Sequence, residues 1–197
     1  MRSWIMALLG VGVLATGIAT ARPGEEEEED YAALLKALPG AKHSLADGIR
    51  QAAAKSPAVA ISAKFEMDDN GKLSLSVYTA GKGLEGDAEE NVLSEIAGGP
   101  GGEKWTPETE VFKDVPHVAR SSQQLTLMAL STSSLLDVIA KAEKDHPGTV
   151  FSVKPELEGR KARFDVLIAA GGKAQEFEYD LMTGNAVPAE PAKGEKK

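Results

Sequence analysis

The chain has 197 residues, 42% of them hydrophobic, with a formal net charge of −8 and no cysteine. That is apolar material for one or two small cores, and it excludes disulfides and a lipid-bearing cysteine. The acidic balance argues against nucleic acid as a partner, because phosphate binding needs clustered Lys and Arg.

Residues 1–21 read as an export signal. Arg2 supplies a short positive start, "WIMALLGVGVLA" (Trp4–Ala15) an apolar stretch, and Ala19-Thr20-Ala21 a small-residue cleavage site. The apolar run is too short for a comfortable membrane span, so no span is expected after cleavage and the protein is placed in the periplasm or outside the cell. Residues 22–42 follow as an acidic arm and a short helix. Six consecutive acids, Glu25–Asp30, cannot be buried and are expected to stay solvated; without a wrapping turn they make a poor calcium loop. Tyr31, Leu34, Leu35 and Leu38 recur at helical spacing, and Pro39-Gly40 ends that helix.

"SLADGIRQAAAKSP" starts at Ser44, and "SLLDVIAKAEKDHP" starts ninety positions later at Ser134, with six of fourteen residues identical. Each begins with an S-x-x-D capping box, Ser44/Asp47 and Ser134/Asp137. Each carries an apolar stripe: Leu45, Ile49 and Ala52 in the first, Leu135, Val138, Ile139 and Ala142 in the second. Each meets a proline, Pro57 or Pro147, where the helix should stop.

Alternation replaces helical spacing after each helix. Val59, Ile61, Ala63, Phe65 and Met67 face one way, "DDNG" turns the chain at 68–71, and Leu73, Leu75 and Val77 return as the second strand of a hairpin. "AEENVLSEIAGG" (88–99) fits strand or helix. In the second copy Phe151, Val153 and Leu157 line a strand. Ala162, Phe164, Val166 and Ile168 line the next, and Phe177, Tyr179 and Leu181 a third, with turns at "EGRK", "AGGK" and "DLMTG". Pro155 cannot donate to a ladder, so its strand is expected at a sheet edge or at a bulge. That edge, Val150, Ser152, Lys154, Pro155 and Glu156, is the candidate surface for a protein partner.

The expected boundaries are 43–100 for the first repeat, 101–132 for a partly helical connector, 133–187 for the second repeat and 188–197 for a disordered tail. In the connector, "GGPGGEKWTPE" reads as loop. Beyond it, Val115, Val118, Ser122, Leu125 and Ala129 fit a helical face, while Leu125, Leu127 and Ala129 also fit a strand; helix is favoured.

No catalytic, cofactor or metal constellation stands out. His43, His117 and His146 lack ligand spacing and read as surface or capping residues. The serines lack the G-x-S-x-G setting, and "GGPGG" lacks the Lys-Ser/Thr end of a phosphate loop. The acidic pairs Glu89/Glu90 and Glu176/Glu178 read as solvated charge, and Trp105 and Phe112 carry no assigned role.

Residues 134–187, with the helix ending in "HPG", the alternating strands and the closing "YDLMTG", resemble a PepSY domain. Residues 44–83 look like a diverged copy, in which "LSEIAGG" stands where the closing motif would be. The resemblance implies an α+β fold of two modules, each a helix packed on a small antiparallel meander. It also implies an exported, non-catalytic protein without cofactors that binds or modulates a peptidase or another envelope or secreted protein. A role in envelope structure or assembly through self-association is the alternative.

Overall fold

The computed structural model describes residues 31–54, 57–86 and 90–188. The expected leader (1–21), the acidic arm (22–30), Glu89 and all but Pro188 of the expected tail lie outside the described residues. The chain is α+β. Among the described residues its helices are α1 (31–37), α2 (Leu45–Ala53), α3 (Val115–Leu130) and α4 (Leu135–Asp145). Its strands are β1 (Val59–Met67), β2 (Leu73–Ala80), β3 (Leu93–Gly98), β4 (Glu108–Val111), β5 (Thr149–Glu158), β6 (Lys161–Ala170) and β7 (Lys173–Asp180).

The seven strands form one antiparallel sheet in the order β4-β3-β2-β1-β5-β6-β7. The two halves do not stand apart as separate modules: β1 and β5 join them through the pairs Ala63↔Val153 and Lys64↔Ser152. Positions ninety apart take the same local geometry. Both capping boxes form: the Ser44 and Ser134 hydroxyls accept the Asp47 and Asp137 N–H at 3.2 Å, and each carboxylate accepts the serine N–H in return. The register slips between Ala60 and Ser62 in β1, and between Val150 and Ser152 in β5. At the junction Ala63 pairs with Val153, the residue ninety positions after it.

The two faces of the sheet differ. Ala63, Phe65, Leu75 and Val77 are buried on one face together with Val153, Phe164 and Val166. The apolar stripes of α2 and α4 cover that face, and the two helices touch each other. At Gly48 an added Cβ would lie 2.8 Å from Leu75 Cδ2, so the missing side chain is what lets α2 sit this close. The 31–37 helix adds Leu34 to this core, with Leu38 just beyond it. Tyr31 meets Phe151 edge-on at 5.7 Å.

The opposite face carries Ser62, Lys64, Ser76, Tyr78, Ser152, Lys154, Asp165 and Leu167. Helix α3 lies on it, and the buried Ser62 hydroxyl donates to Gln124 Oε1 at 2.7 Å. The helix expected in the connector is therefore present, but its buried side is Ser121, Gln124, Leu127 and Met128. The expected face is wrong: Val115 and Val118 are exposed, as are Ser122 and Ala129. A helix that packs on a hydroxyl-bearing surface buries polar groups, so hydrophobic spacing does not mark its inner side.

Three further expectations change or resolve. "AEENVLSEIAGG" supplies strand β3. Leu157 is exposed and does not line the core. The strand with Pro155 is not an edge: β5 runs between β1 and β6, and Val150 and Pro155 are buried. Proline is tolerated there because the β1–β5 ladder is confined to two residue pairs and no β1 residue is registered opposite Pro155. The outer strands are β4, exposed along its length, and β7, where Val187 N–H donates to Glu178 O and Asp180 N–H to Asn185 O. Trp105, given no role from sequence, is buried and donates its indole N–H to Gly98 O at 3.1 Å.

Candidate functional site

Where β1 meets β5, the α3 face of the sheet is indented by a cleft of about 390 Å³. Its floor is the junction itself: Ser62, Ala63 and Lys64 from β1, and Ser152, Val153 and Lys154 from β5. Tyr78 rises from β2, Leu167 from β6, and Arg120 and Gln124 descend from α3; Tyr31, the first described residue, closes one side. Three cations and no carboxylate line this cleft, in a chain whose net charge is −8.

The two lysines are matched by the chain spacing. Lys64 pairs with Glu66 two residues on, and Lys154 with Glu156 at 2.6 Å. Strand alternation puts i and i+2 on one face, which makes each pair local. Lys64 Nζ also sits 5.9 Å from the Tyr78 ring centroid. Burial pushes the Tyr78 hydroxyl above the ordinary phenol range, with Glu95 and Glu66 adding to it, so it stays protonated and able to donate. Burial pulls Lys154 down, yet its hydrogen bond to Glu156 and the nearby Asp165 hold it above the usual lysine value. Arg120 is exposed and makes no ion pair among the described residues.

Beside the cleft the two halves use different chemistry at matching positions. In the first half Ser76 stands opposite Lys64, and its hydroxyl donates to Glu66 Oε1 at 2.6 Å. In the second half Asp165 stands opposite Lys154 and is only 3% exposed. Arg163 Nε donates to Asp165 Oδ1 at 2.8 Å, while Arg163 Nη1 reaches Glu158 and Glu178. The carboxyl of Asp165 is nonetheless pushed up to about 7: burial acts first, then its hydrogen bond with Glu156, and these outweigh Arg163. That same hydrogen bond holds Glu156 below its ordinary value. Asp165 and Glu156 thus titrate as a linked pair, with Asp165 held up and Glu156 held down.

This has a measurable consequence. Asp165 binds its proton more tightly in the folded chain than at its ordinary value of 3.8, so its contribution to stability is complete below that value and is lost as the pH rises through about 7. Glu156 acts in the opposite sense, but only below its ordinary 4.5. Urea denaturation should therefore show stability falling between about pH 5 and about pH 8. Asp165→Asn keeps a donor for Glu156 without the titration. It should flatten that slope and be more stable than the parent at about pH 8 by on the order of 1 kcal/mol. An unchanged slope in the variant would mean that another group titrates.

Of the five residues proposed from sequence, Ser152 and Lys154 line the cleft and Glu156 pairs with Lys154, whereas Val150 and Pro155 are buried within the sheet. Lys64, Tyr78, Arg120, Gln124 and Tyr31 were not anticipated. Lys64-Phe65-Glu66 and Lys154-Pro155-Glu156 share the ninety-residue offset, and that was the available signal. The histidines lie elsewhere: His43 bonds Gly102 O, His117 the N-capping Asp114, and His146 stacks on Phe177 at 3.6 Å. No group of three or more His, Cys, Asp or Glu among the described residues is placed to hold a metal.

No single helix among the described residues is long and apolar enough to cross a membrane. No protein-family model matches the chain, and no curated protein matches it. Among solved structures, a Clostridium difficile 630 protein described as a "putative lipoprotein" aligns over 73% of this chain and 90% of its own, at 15% identity and a TM-score of 0.39. A likeness at that level carries neither a fold nor a role across to this chain.

Proposed function

We propose that the protein is an exported, non-catalytic binding protein, built from two copies of one PepSY-like unit fused into a single sheet. In this reading it restrains or holds a peptidase or another envelope or secreted protein. One observation carries the reading: capping boxes and bulges recur at a ninety-residue offset, and the junction pairs Ala63 with the residue ninety positions on, Val153. That offset supports a duplicated unit, and the resemblance of residues 134–187 to the PepSY family supports the kind of unit. The cleft at the junction supports binding, since it gathers donors and cations where the copies meet. Among the described residues, the edges available to a partner strand in this reading are β4 and the part of β7 before Glu178, in place of β5.

The test is direct. The purified protein, immobilised, should retain a secreted peptidase from a panel of purified metallo-, serine and cysteine enzymes, and should slow its turnover at stoichiometric amounts. No retention and no slowing across the three classes would remove the peptidase reading.

A further inference from the structure

The junction cleft is unusual for this chain because of what lines it. Lys64, Lys154 and Arg120 line it, Glu66, Glu156 and Asp165 meet its two lysines from outside the lining, and Tyr31 forms part of the wall. Tyr31 is covalently preceded by Glu25–Asp30, six acids in a row. The densest negative charge in the sequence is thus tethered to the rim of a cleft whose charged lining is entirely basic. We propose that the Glu25–Asp30 segment of this same chain seats in the junction cleft, in contact with Lys64, Lys154 and Arg120, and so occupies the site that an acidic partner segment would otherwise take.

Reach is not limiting, since six residues span up to about 20 Å when extended. Charge is not limiting either. The pairs Lys64–Glu66 and Lys154–Glu156 involve side chains that are roughly a third to a half exposed, and such pairs hold with only about 0–1 kcal/mol. Among the described residues Arg120 has no carboxylate to give up. A tether this short also supplies an effective concentration on the order of millimolar, enough to fill a site too weak to hold a free peptide. The placement needs only the cleft and the arm, so it stands or falls separately from the family reading above.

Zero-length carbodiimide cross-linking of the protein as isolated from cells tests this, because it joins only amines and carboxylates already in contact. Peptide mapping should find Lys64 or Lys154 joined to residues 25–30 of the same chain. The yield should fall several-fold between about 10 mM and about 1 M salt, as screening shortens from about 30 Å to about 3 Å. Arg120→Gln, at an exposed position where folding is not at risk, should lower the yield as well. Linkage of these lysines to Glu66 and Glu156 alone would overturn the proposal. So would arm linkage spread evenly over the surface lysines. Links between chains in a mixture of isotopically light and heavy protein would assign the arm to a second copy, and would equally overturn it.

Discussion

Gly148→Ala is expected to destabilise the protein by about 3 kcal/mol or more, one of the two largest effects of a single change that this structure supports. Gly148 sits at φ 141°, a backbone conformation that side chains rarely adopt. An added Cβ would lie 2.5 Å from Ala169 O and 2.6 Å from Ile168 Cγ2. Neither neighbour can move away. Ala169 is paired with Thr149, the first residue of β5, and Ile168 is buried. The methyl group would therefore have to displace the start of β5 from β6. Gly71 offers the control, because its φ is 68° but nothing lies within 4 Å of an added Cβ. Gly71→Ala should cost only about 1 kcal/mol, the backbone part alone. Urea midpoints compared at constant m-value would separate the two. Equal losses would mean that the contacts with Ala169 and Ile168 do not matter.

Phe164→Ala should cost about 3–5 kcal/mol, the range for emptying a well-packed aromatic site. Phe164 is fully buried, with Pro155 opposite it on β5 and Tyr179 opposite it on β7. All three lie on the face covered by α4, away from the cleft. The ring is held between two strands on either side, so the surroundings cannot readily collapse into the space it leaves. Phe164→Leu, which keeps most of the volume, should lose far less. Because the residue faces away from Lys154, the cross-linking pattern of any variant that still folds should be unchanged. A loss under about 1 kcal/mol for the alanine variant would show that this part of the core is loosely packed.

How much of this was legible depended on what each segment touches. The capped helices α2 and α4 and the hairpin β1–β2 each have one apolar side and one polar side, and their spacing says which is which. So Ser44, Ser134, Leu45, Ile139, Ile61 and Phe164 were all placed from the sequence. Helix α3 was readable as a helix but not as to its inner side, because Ser121 and Gln124 face Ser62 and its neighbours rather than an apolar surface. Pro155 misled for a related reason. Proline marks the absence of a backbone donor, and an edge is one place where that absence is harmless; a junction only two pairs long is another. The cleft had no local signature at all. Its lysines come from β1 and β5, its arginine from α3 and its tyrosines from α1 and β2, so only the pairing of Ala63 with Val153 brings them together.

That pairing also bears on the order of assembly. Every other ladder in the sheet joins strands that are consecutive in the chain, whereas β1 and β5 must find each other across ninety residues. Closing a loop of that length costs roughly 2 kcal/mol more in chain entropy than closing one of about ten residues. Each half can therefore mature as a local meander before the two lock together. In that interval β1 and β5 present bare main-chain donors and acceptors of matching register. At high concentration a neighbouring molecule offers the same mate, so exchange of halves between chains, giving an intertwined dimer, is the characteristic misassembly of this architecture.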